Sequence, residues 1–189
     1  MADHGLTGVL LVGGASRRFG SPKALARFRG ETLAERAWRV LGTVCDERIA
    51  VGKPSDGLLL PFALHDDGTQ VRAPLAGVVA GLRAARNELG LFVPVDCPLL
   101  TSAVLLELAQ AGGEVAVPQT GPLPGAYRRS VLPQLERRLA AGELALRGAL
   151  AELDARVVQV DPVLLSNANT EQELRLLEAA PEHVDRDVP

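Results

Sequence analysis

The chain has 189 residues, a length that fits a single domain. Its composition, 47% hydrophobic and 23% charged, is that of an ordinary globular protein and argues against disorder over the whole chain. The net charge of −3 at pH 7 argues against a general binder of nucleic acid or of membrane surfaces. We therefore expect a compact soluble domain.

The cysteines and the start of the chain predict a cytoplasmic location. Cys45 and Cys97 form no CxxC pair and no metal-ligand cluster, so the simplest interpretation is a reducing compartment with both thiols packed as small hydrophobic groups. The start of the chain lacks the basic and apolar regions of a signal peptide, and no apolar run approaches the length of a membrane span. We expect contact with neither nucleic acid nor membrane.

The N-terminal half of the chain alternates between predicted strands and predicted helices. Short apolar runs predict four strands, over residues 6–12, 48–51, 58–64 and 91–95. Helical spacing of apolar residues, and a proline suited to a first helical turn, predict two helices, over residues 31–44 and 74–85. Pro94 lacks a backbone donor, so we expect its strand to lie at an edge or to be locally distorted.

The C-terminal half continues the alternation. Strands are predicted over residues 115–117 and 157–160. Helices are predicted over residues 130–141 and 143–153, from a cap at Thr101 or Ser102 through Gln110, and from a cap at Thr170 through Ala179. This pattern indicates an α/β fold with three layers and a mainly parallel central sheet. No linker divides the chain, so we expect one domain over residues 1–180 and a disordered tail over residues 181–189.

Glycines and carboxylates follow three of the predicted strands. Gly13 and Gly14 follow the first strand, Asp66 and Asp67 follow the third, and Asp96 follows the fourth. In parallel α/β sheets, ligands bind beyond the carboxyl ends of the strands. We therefore expect these residues to gather on one rim of the sheet.

The segment from Gly13 to Lys23, GGASRRFGSPK, favours a phosphate site. Glycines allow backbone N–H groups to converge on an anion, and Arg17, Arg18 and Lys23 add positive charge. Lys23 is one of two lysines among twenty basic residues, and a compact ammonium suits a point charge on phosphate. The spacing fits neither the P-loop nor the dinucleotide fingerprint. A solvated loop whose glycines only turn the chain is the alternative.

Asp96 predicts a metal site at the same rim. Mg²⁺ in nucleotide sites takes one or two carboxylates together with phosphate oxygens, and Asp96 offers a carboxylate at the end of an apolar strand. Taken alone, Asp96 is equally compatible with a turn before Pro98, and Asp66 and Asp67 favour a turn because Gly68 follows them. Acidic strand ends that face a basic glycine loop nevertheless favour a nucleotide and Mg²⁺ site.

Taken together, these segments resemble the molybdenum cofactor guanylyltransferases, which belong to the Rossmann-like nucleotidyltransferases. The matching residues follow the family's order and comprise Leu11–Gly20, Lys23, Pro74–Gly77, Pro94–Pro98 and Asn167–Thr170. The glycine loop alone marks only the wider nucleotidyltransferase group. The Pro-Leu-Ala-Gly and Asn-Ala-Asn-Thr segments are the more selective signals.

The resemblance implies transfer of GMP from GTP to the phosphate of Mo-molybdopterin, with Mg²⁺ as cofactor and pyrophosphate as product. It places the GTP contacts on Leu11, Val12, Gly13, Gly14, Lys23 and Asp66. It places Mg²⁺ on Asp96 and the pterin towards Asn167 and Asn169. We expect Lys23, Asp96 and Arg17 to carry catalysis, because phosphoryl transfer needs positioning and charge neutralisation more than covalent chemistry.

The chain departs from the family pattern at four places. Pro22 precedes the lysine where an acidic residue is usual, Ala73 replaces a glycine, Gly52-Lys53 stand where an asparagine is expected, and Arg147 is the one cation of a commonly basic segment. The nearest alternative is a molybdenum cofactor cytidylyltransferase. Pro22-Lys23 favours it, whereas Gly13-Gly14 and the segment Pro74–Gly77 disfavour it.

Two further alternatives concern catalysis and the acceptor. One is a non-catalytic relative that binds nucleotide and serves molybdoenzyme maturation, and the other is a transferase with an unrelated sugar or alcohol acceptor. GTP and Mo-molybdopterin are the expected substrates, and molybdoenzyme apoproteins or their chaperones are candidate partners.

Overall fold

The structure, a computed structural model, describes residues 5–13, 19 and 22–179. Nine strands are described: β1 (Leu6–Leu11), β2 (Arg27–Phe28), β3 (Glu31–Thr32), β4 (Glu47–Gly52), β5 (Leu64–Asp66), β6 (Leu89–Pro94), β7 (Val115–Pro118), β8 (Gly125–Arg128) and β9 (Ala155–Val158). The described α-helices are α1 (Leu33–Gly42), α2 (Pro74–Ala84), α3 (Ser102–Gln110), α4 (Leu132–Ala140), α5 (Leu146–Leu150) and α6 (Glu171–Glu178).

Seven of the strands form one central sheet in the order β5-β4-β1-β6-β8-β7-β9. Strand β8 runs antiparallel to both of its neighbours, and every other adjacent pair is parallel. Strands β2 and β3 form a separate antiparallel hairpin. The predicted α/β fold with a mainly parallel sheet is confirmed.

Side chains on the two faces of the sheet pack against different helices. On one face, Leu10 and Val12 of the first strand segment join the apolar residues of α1 and α3. On the other face, Val9 and Leu11 join those of α2, α4 and α5. Because successive side chains of a strand point to opposite faces, this alternation produces the predicted three layers. Helix α6 packs against the β2–β3 hairpin in a smaller third cluster.

Two glycines of α2 let this helix approach the sheet closely. A Cβ at Gly81 would lie 2.6 Å from the Phe92 ring and 2.7 Å from Val9. A Cβ at Gly77 would lie 2.9 Å from Leu11. A Cβ at Gly81 would therefore clash with two side chains of the sheet, and one at Gly77 would displace the Leu11 side chain. The close approach brings the first turn of α2, which begins at Pro74, against the ends of the central strands.

The predicted strand over residues 58–64 is wrong for most of its length, because only β5 pairs with β4, starting at Leu64. Pro61 lies within the preceding segment and cannot donate to a ladder. The segment instead packs on the core through alternate side chains, with Phe62 stacked on Trp38 at 4.1 Å between ring centroids. Leu59, which lies between the packed residues Leu58 and Leu60, is 88% exposed.

The expected edge position of Pro94 is also wrong, because β6 lies between β1 and β8 in the middle of the sheet. Pro94 is the last residue of β6 and lies opposite Leu11, whereas pairing with β8 ends at Phe92. Pro94, which has no N–H group, therefore lies where β6 has only β1 as a paired neighbour.

Several other boundaries differ from the predictions. The helix predicted over residues 143–153 is shortened to α5, and the last strand, β9, begins two residues before the predicted start. Strand β8 and the β2–β3 hairpin had no counterpart in the predictions. The predicted tail, residues 181–189, lies outside the described residues. No helix in the described part of the chain has both the length and the apolar character needed to cross a membrane.

Candidate functional site

A cavity of about 300 Å³ opens at the carboxyl ends of β1, β4 and β6. It is lined by Leu11, Val12, Gly13, Lys23, Val51, Gly52, Lys53, Asp67, Val71, Arg72, Ala73, Pro74, Gly77, Pro94, Val95, Asp96 and Leu123. The expectation that the glycine loop and the acidic strand ends meet at one rim therefore agrees with the structure for Gly13, Asp67 and Asp96.

Lys23 and Asp96 form an ion pair at one side of this cavity, which we call the open pair. The Nζ atom of Lys23 lies 3.2 Å from Oδ2 of Asp96 and donates a hydrogen bond of 3.0 Å to Oδ1 of Asn169. The two charged side chains are 14% and 24% exposed. The backbone N–H of Ala168 donates to the Asp96 carbonyl at 2.9 Å, so three segments distant in the sequence meet here.

Cys97 lies beneath the open pair and is packed, as predicted. Its thiol donates to Oδ1 of Asn167 at 3.0 Å. Burial, reinforced by the nearby negative charge of Asp96, raises the pKa of the Cys97 thiol far above its usual value. The thiol therefore stays protonated and acts as a hydrogen-bond donor, and Asn167, whose side chain it holds, does not line the cavity.

Lys53 and Asp67 form a second ion pair at the other side of the cavity, which we call the buried pair. Lys53 Nζ lies 2.8 Å from Oδ1 and 2.9 Å from Oδ2 of Asp67, and it also donates to the Thr69 carbonyl. The two side chains are only 8% and 9% exposed. Lys53 follows β4 and Asp67 follows β5, and these adjacent strands bring the pair together.

The loop after β5 is ordered by its own polar side chains. Asp66 Oδ1 accepts from the Gly68 N–H at 3.0 Å, and Asp67 Oδ1 accepts from the Thr69 N–H at 3.1 Å. The Thr69 hydroxyl in turn accepts from the Val71 N–H at 3.1 Å. Asp66 is exposed and points into this turn, so the carboxylate that lines the cavity is that of Asp67.

The cavity is also lined by polar and apolar residues that sequence reasoning did not assign to the site. Three of them are Lys53, Arg72 and Leu123. Arg72 is half exposed, and its Nη2 atom is 2.7 Å from Oδ1 of Asp56. The scarcity of lysine, which singled out Lys23, could also have found Lys53. Gly14 and Arg17, two of the predicted site residues, lie outside the described residues.

The carboxylate of Asp96 fits a Mg²⁺ ion that is shared with a phosphate group. Its Oδ2 atom contacts Lys23, and the contact recorded for its Oδ1 atom is the Cys97 thiol at 3.9 Å. Across residues 5–13, 19 and 22–179, no group of three or more His, Cys, Asp or Glu side chains could hold a metal ion by itself. A site of this kind takes the remaining metal ligands from substrate phosphates and water.

The sequence profile of the family described as MobA-like NTP transferase domain matches residues 8–179. The chain belongs to this family. The predicted nucleotidyltransferase fold and class are therefore confirmed, and the matched range includes the described residues of both ion pairs.

Relatives of similar length support this membership. The chain is 34% identical to a molybdenum cofactor guanylyltransferase from Desulfosudis oleivorans, over 93% of this chain and 95% of the relative. It is also 34% identical to a probable molybdenum cofactor guanylyltransferase from Deinococcus radiodurans, over 89% of this chain and 92% of the relative. The resemblance seen in the motifs thus extends over nearly the whole chain.

Solved structures share the fold at lower identity. Molybdopterin-guanine dinucleotide biosynthesis protein A from Archaeoglobus fulgidus superposes with a TM-score of 0.77 at 23% identity, covering 91% of this chain and 96% of that one. The 2-C-methyl-D-erythritol 4-phosphate cytidylyltransferase from Thermus thermophilus gives a TM-score of 0.70 at 20% identity, covering 90% and 96%. The fold thus occurs in proteins named for different nucleotides and different acceptors.

Proposed function

We propose that the protein transfers the GMP moiety of GTP to the phosphate of Mo-molybdopterin and releases pyrophosphate. A bond forms between an acceptor phosphate oxygen and the α-phosphorus of GTP. The bond from that phosphorus to the α–β bridging oxygen breaks, and its electron pair leaves with pyrophosphate. The molybdenum is part of the acceptor substrate.

The observation that carries this proposal is the cluster around Lys23. Lys23 ends the glycine loop, Asp96 belongs to the Pro-Val-Asp-Cys-Pro segment, and Asn169 belongs to the Asn-Ala-Asn-Thr segment. These are three of the segments by which the chain resembles the guanylyltransferases, and hydrogen bonds of 3.2 and 3.0 Å join them at the cavity. A folding constraint alone gives no reason for a lysine, a carboxylate and an amide to converge beside the cavity.

The phosphate end of GTP would lie beside the open pair. Lys23 supplies a compact positive charge there, and Gly13, exposed at the end of β1, allows the ligand to approach the backbone. The first turn of α2, which lines the cavity at Pro74 and Gly77, adds the positive end of an eleven-residue helix. These groups neutralise the charge of the triphosphate and hold its α-phosphorus for in-line attack.

Asp96 would hold Mg²⁺ against the same phosphates. When bound, the ion neutralises charge that develops on the phosphate oxygens during transfer. Asp96 is the side chain that would hold the ion, and Lys23 beside it would offer its positive charge to the phosphate. The Asn169 side chain gives the Lys23 ammonium a second hydrogen-bond acceptor beside Asp96.

The acceptor would approach from the side of Leu123 and Asn169. The loop that carries Leu123 is held by the Tyr127 hydroxyl, which donates to the Pro122 carbonyl at 2.7 Å, and by Arg147, which donates to the Thr120 carbonyl at 3.1 Å. Arg147 is exposed beside this loop and offers the one cation of its segment to an anionic acceptor.

Thermal unfolding with GTP, CTP, ATP and UTP, each with and without Mg²⁺, tests the nucleotide. A ligand at a hundred times its Kd stabilises the folded state by about 2.7 kcal/mol. We expect a selective rise in melting temperature with GTP and Mg²⁺, followed by pyrophosphate release when Mo-molybdopterin is added. A preference for CTP would favour the cytidylyltransferase, and GTP binding without turnover would favour the non-catalytic relative.

A further inference from the structure

The two lysines of the chain line the same cavity, and each contacts an aspartate. Asp96 of the open pair follows β6, the buried pair lies at the ends of β4 and β5, and β1 lies between β6 and β4 in the sheet. With neighbouring strands about 4.8 Å apart, two strand spacings place the pairs about 10 Å from each other across the cavity. A nucleotide that has its phosphates at the open pair would therefore direct its nucleoside towards the buried pair.

The ammonium of Lys53 has no proton left for a ligand. Lysine carries three donors, and the structure records three acceptor atoms around Nζ: both carboxylate oxygens of Asp67 and the Thr69 carbonyl. Its side chain is 8% exposed, so the cavity reaches it only marginally. A lysine in a phosphate-binding cavity is commonly taken as a phosphate ligand, but this one is already saturated by its own loop.

Asp67, in contrast, retains one acceptor position. A carboxylate has about four lone-pair positions. Oδ1 accepts from Lys53 and from the Thr69 N–H, and Oδ2 accepts from Lys53. Among the contacts recorded for the described residues, Oδ2 is thus the atom that can take one further hydrogen bond from a donor in the cavity.

We propose that Lys53 is a positioning residue for the nucleoside end of the nucleotide: it holds Asp67 in place as an acceptor for an N–H donor of the ligand, and it does not itself bind phosphate. This inference rests on the proposed function for the direction in which the nucleotide lies. Lys53 acts on the ligand through Asp67 and through the Thr69–Arg72 wall, which the same ammonium fixes by its bond to Thr69.

Binding of two ligands to the full chain and to Lys53→Met separates a nucleoside role from a phosphate role. The ligands are GTP and inorganic tripolyphosphate, both with Mg²⁺, and titration calorimetry measures each Kd. Loss of a charge-assisted hydrogen bond should weaken GTP binding about tenfold or more, whereas tripolyphosphate binding should stay within about twofold of wild type. Arg83→Met, which removes an ion pair to Glu136 outside the cavity, is the matched control and should change neither Kd.

Equal loss of both ligands would identify Lys53 as a phosphate ligand and overturn the inference, as would an unchanged Kd for GTP. If Lys53→Met does not fold, Lys53→Met/Asp67→Asn removes both buried charges and keeps an acceptor for the Thr69 N–H. This variant should fold and should bind tripolyphosphate with the wild-type Kd, but it should bind GTP more weakly than wild type. A wild-type Kd for GTP would contradict the role of Asp67.

Failure of the proposed function gives a different result. A wild-type protein that binds CTP in preference to GTP would contradict the proposed substrate, and the comparison with Lys53→Met is then made with CTP, with the same expected loss. A wild-type protein that binds tripolyphosphate but no nucleotide would contradict both, because the buried pair would then face no nucleoside.

Discussion

The open pair and the buried pair each consist of a lysine and an aspartate, but they differ in exposure and in how firmly they are held. Lys23 and Asp96 are 14% and 24% exposed and are joined at 3.2 Å, and Lys23 also donates to Asn169 at 3.0 Å. Lys53 and Asp67 are 8% and 9% exposed, and two contacts of 2.8 and 2.9 Å, with a third bond to Thr69, fix them. A solvated pair can exchange partners at little cost, whereas a buried pair cannot lose a partner without leaving a charge in a poorly solvated place. The comparison predicts that the open pair exchanges contacts when a ligand binds, whereas the buried pair fixes the shape of the cavity wall.

The largest expected effect is on folding, in Lys53→Met. Removal of one partner of a buried ion pair leaves an uncompensated charge on Asp67, which typically costs about 3–5 kcal/mol in free energy of unfolding. In a chain of this size the melting temperature should fall by roughly 6–20 °C. Denaturant unfolding measures the loss, and Lys53→Met/Asp67→Asn, which buries no charge, should regain most of it. A wild-type stability for Lys53→Met would mean that the pair is not buried in solution.

The next effect is on turnover, in Asp96→Asn. The amide keeps the size of the carboxylate and a hydrogen-bond acceptor for Lys23, but it removes the negative charge that would hold Mg²⁺. We expect kcat to fall about 10²–10³-fold, the range found when one preorganised electrostatic group is lost. The melting temperature without ligand should stay close to that of wild type, because the carboxylate is partly exposed. Normal turnover would remove Asp96 from the metal site.

The third effect is on nucleotide binding, in Lys23→Met, the same substitution made at the open pair. We expect GTP and tripolyphosphate to bind more weakly by about 1.5–3 kcal/mol, since a positioned cation on phosphate is lost. The free energy of unfolding should change by no more than about 1 kcal/mol, because the pair is partly exposed. The two Lys→Met variants should thus differ in kind: one loses affinity for phosphate, and the other loses stability and affinity for the nucleoside. A stability loss as large as that of Lys53→Met would contradict the distinction.

The open pair was largely predictable from the sequence, and the buried pair was not. Asp96 follows a strong strand signal, and Lys23 ends the glycine loop that follows another. The parallel strands of a sheet bring their carboxyl ends to one rim whatever their order. The pairing of Lys53 with Asp67 instead depends on β5 lying next to β4, and β5 was predicted six residues too early because Leu58, Leu60 and Phe62 look like strand residues. Their alternation reflects packing on the core of an unpaired segment.

The choice between Asp66 and Asp67 shows why neighbouring residues are hard to separate by motif. The resemblance assigns the nucleoside contact to Asp66, but successive residues at a strand end point in different directions. Here Asp66 turns outward onto the Gly68 N–H, and Asp67 turns inward onto Lys53.

The fold was easier to predict from the sequence than the site. Helix α2 has a proline at its first turn and an apolar sequence, and α3 begins at the predicted Thr101 cap. Strand β8, four residues with one exposed end, carries too short a pattern to detect.

The smallest effect is expected from Asn169→Ala, which probes how the open pair is held. The Asn169 side chain accepts from Lys23, while its backbone N–H donates to Glu173, and alanine keeps only the second contact. Asp96 still holds Lys23, so GTP affinity should fall by only about 1 kcal/mol, or roughly fivefold. If Asn169 acts through Lys23, the double variant Lys23→Met/Asn169→Ala should bind GTP no more weakly than Lys23→Met alone, because the effects of residues in one hydrogen-bonded network are not additive. If Asn169 contacts only the pterin, GTP affinity stays at the wild-type value and the KM for Mo-molybdopterin rises instead. The two readouts together decide whether this amide acts on nucleotide binding through Lys23 or on the acceptor.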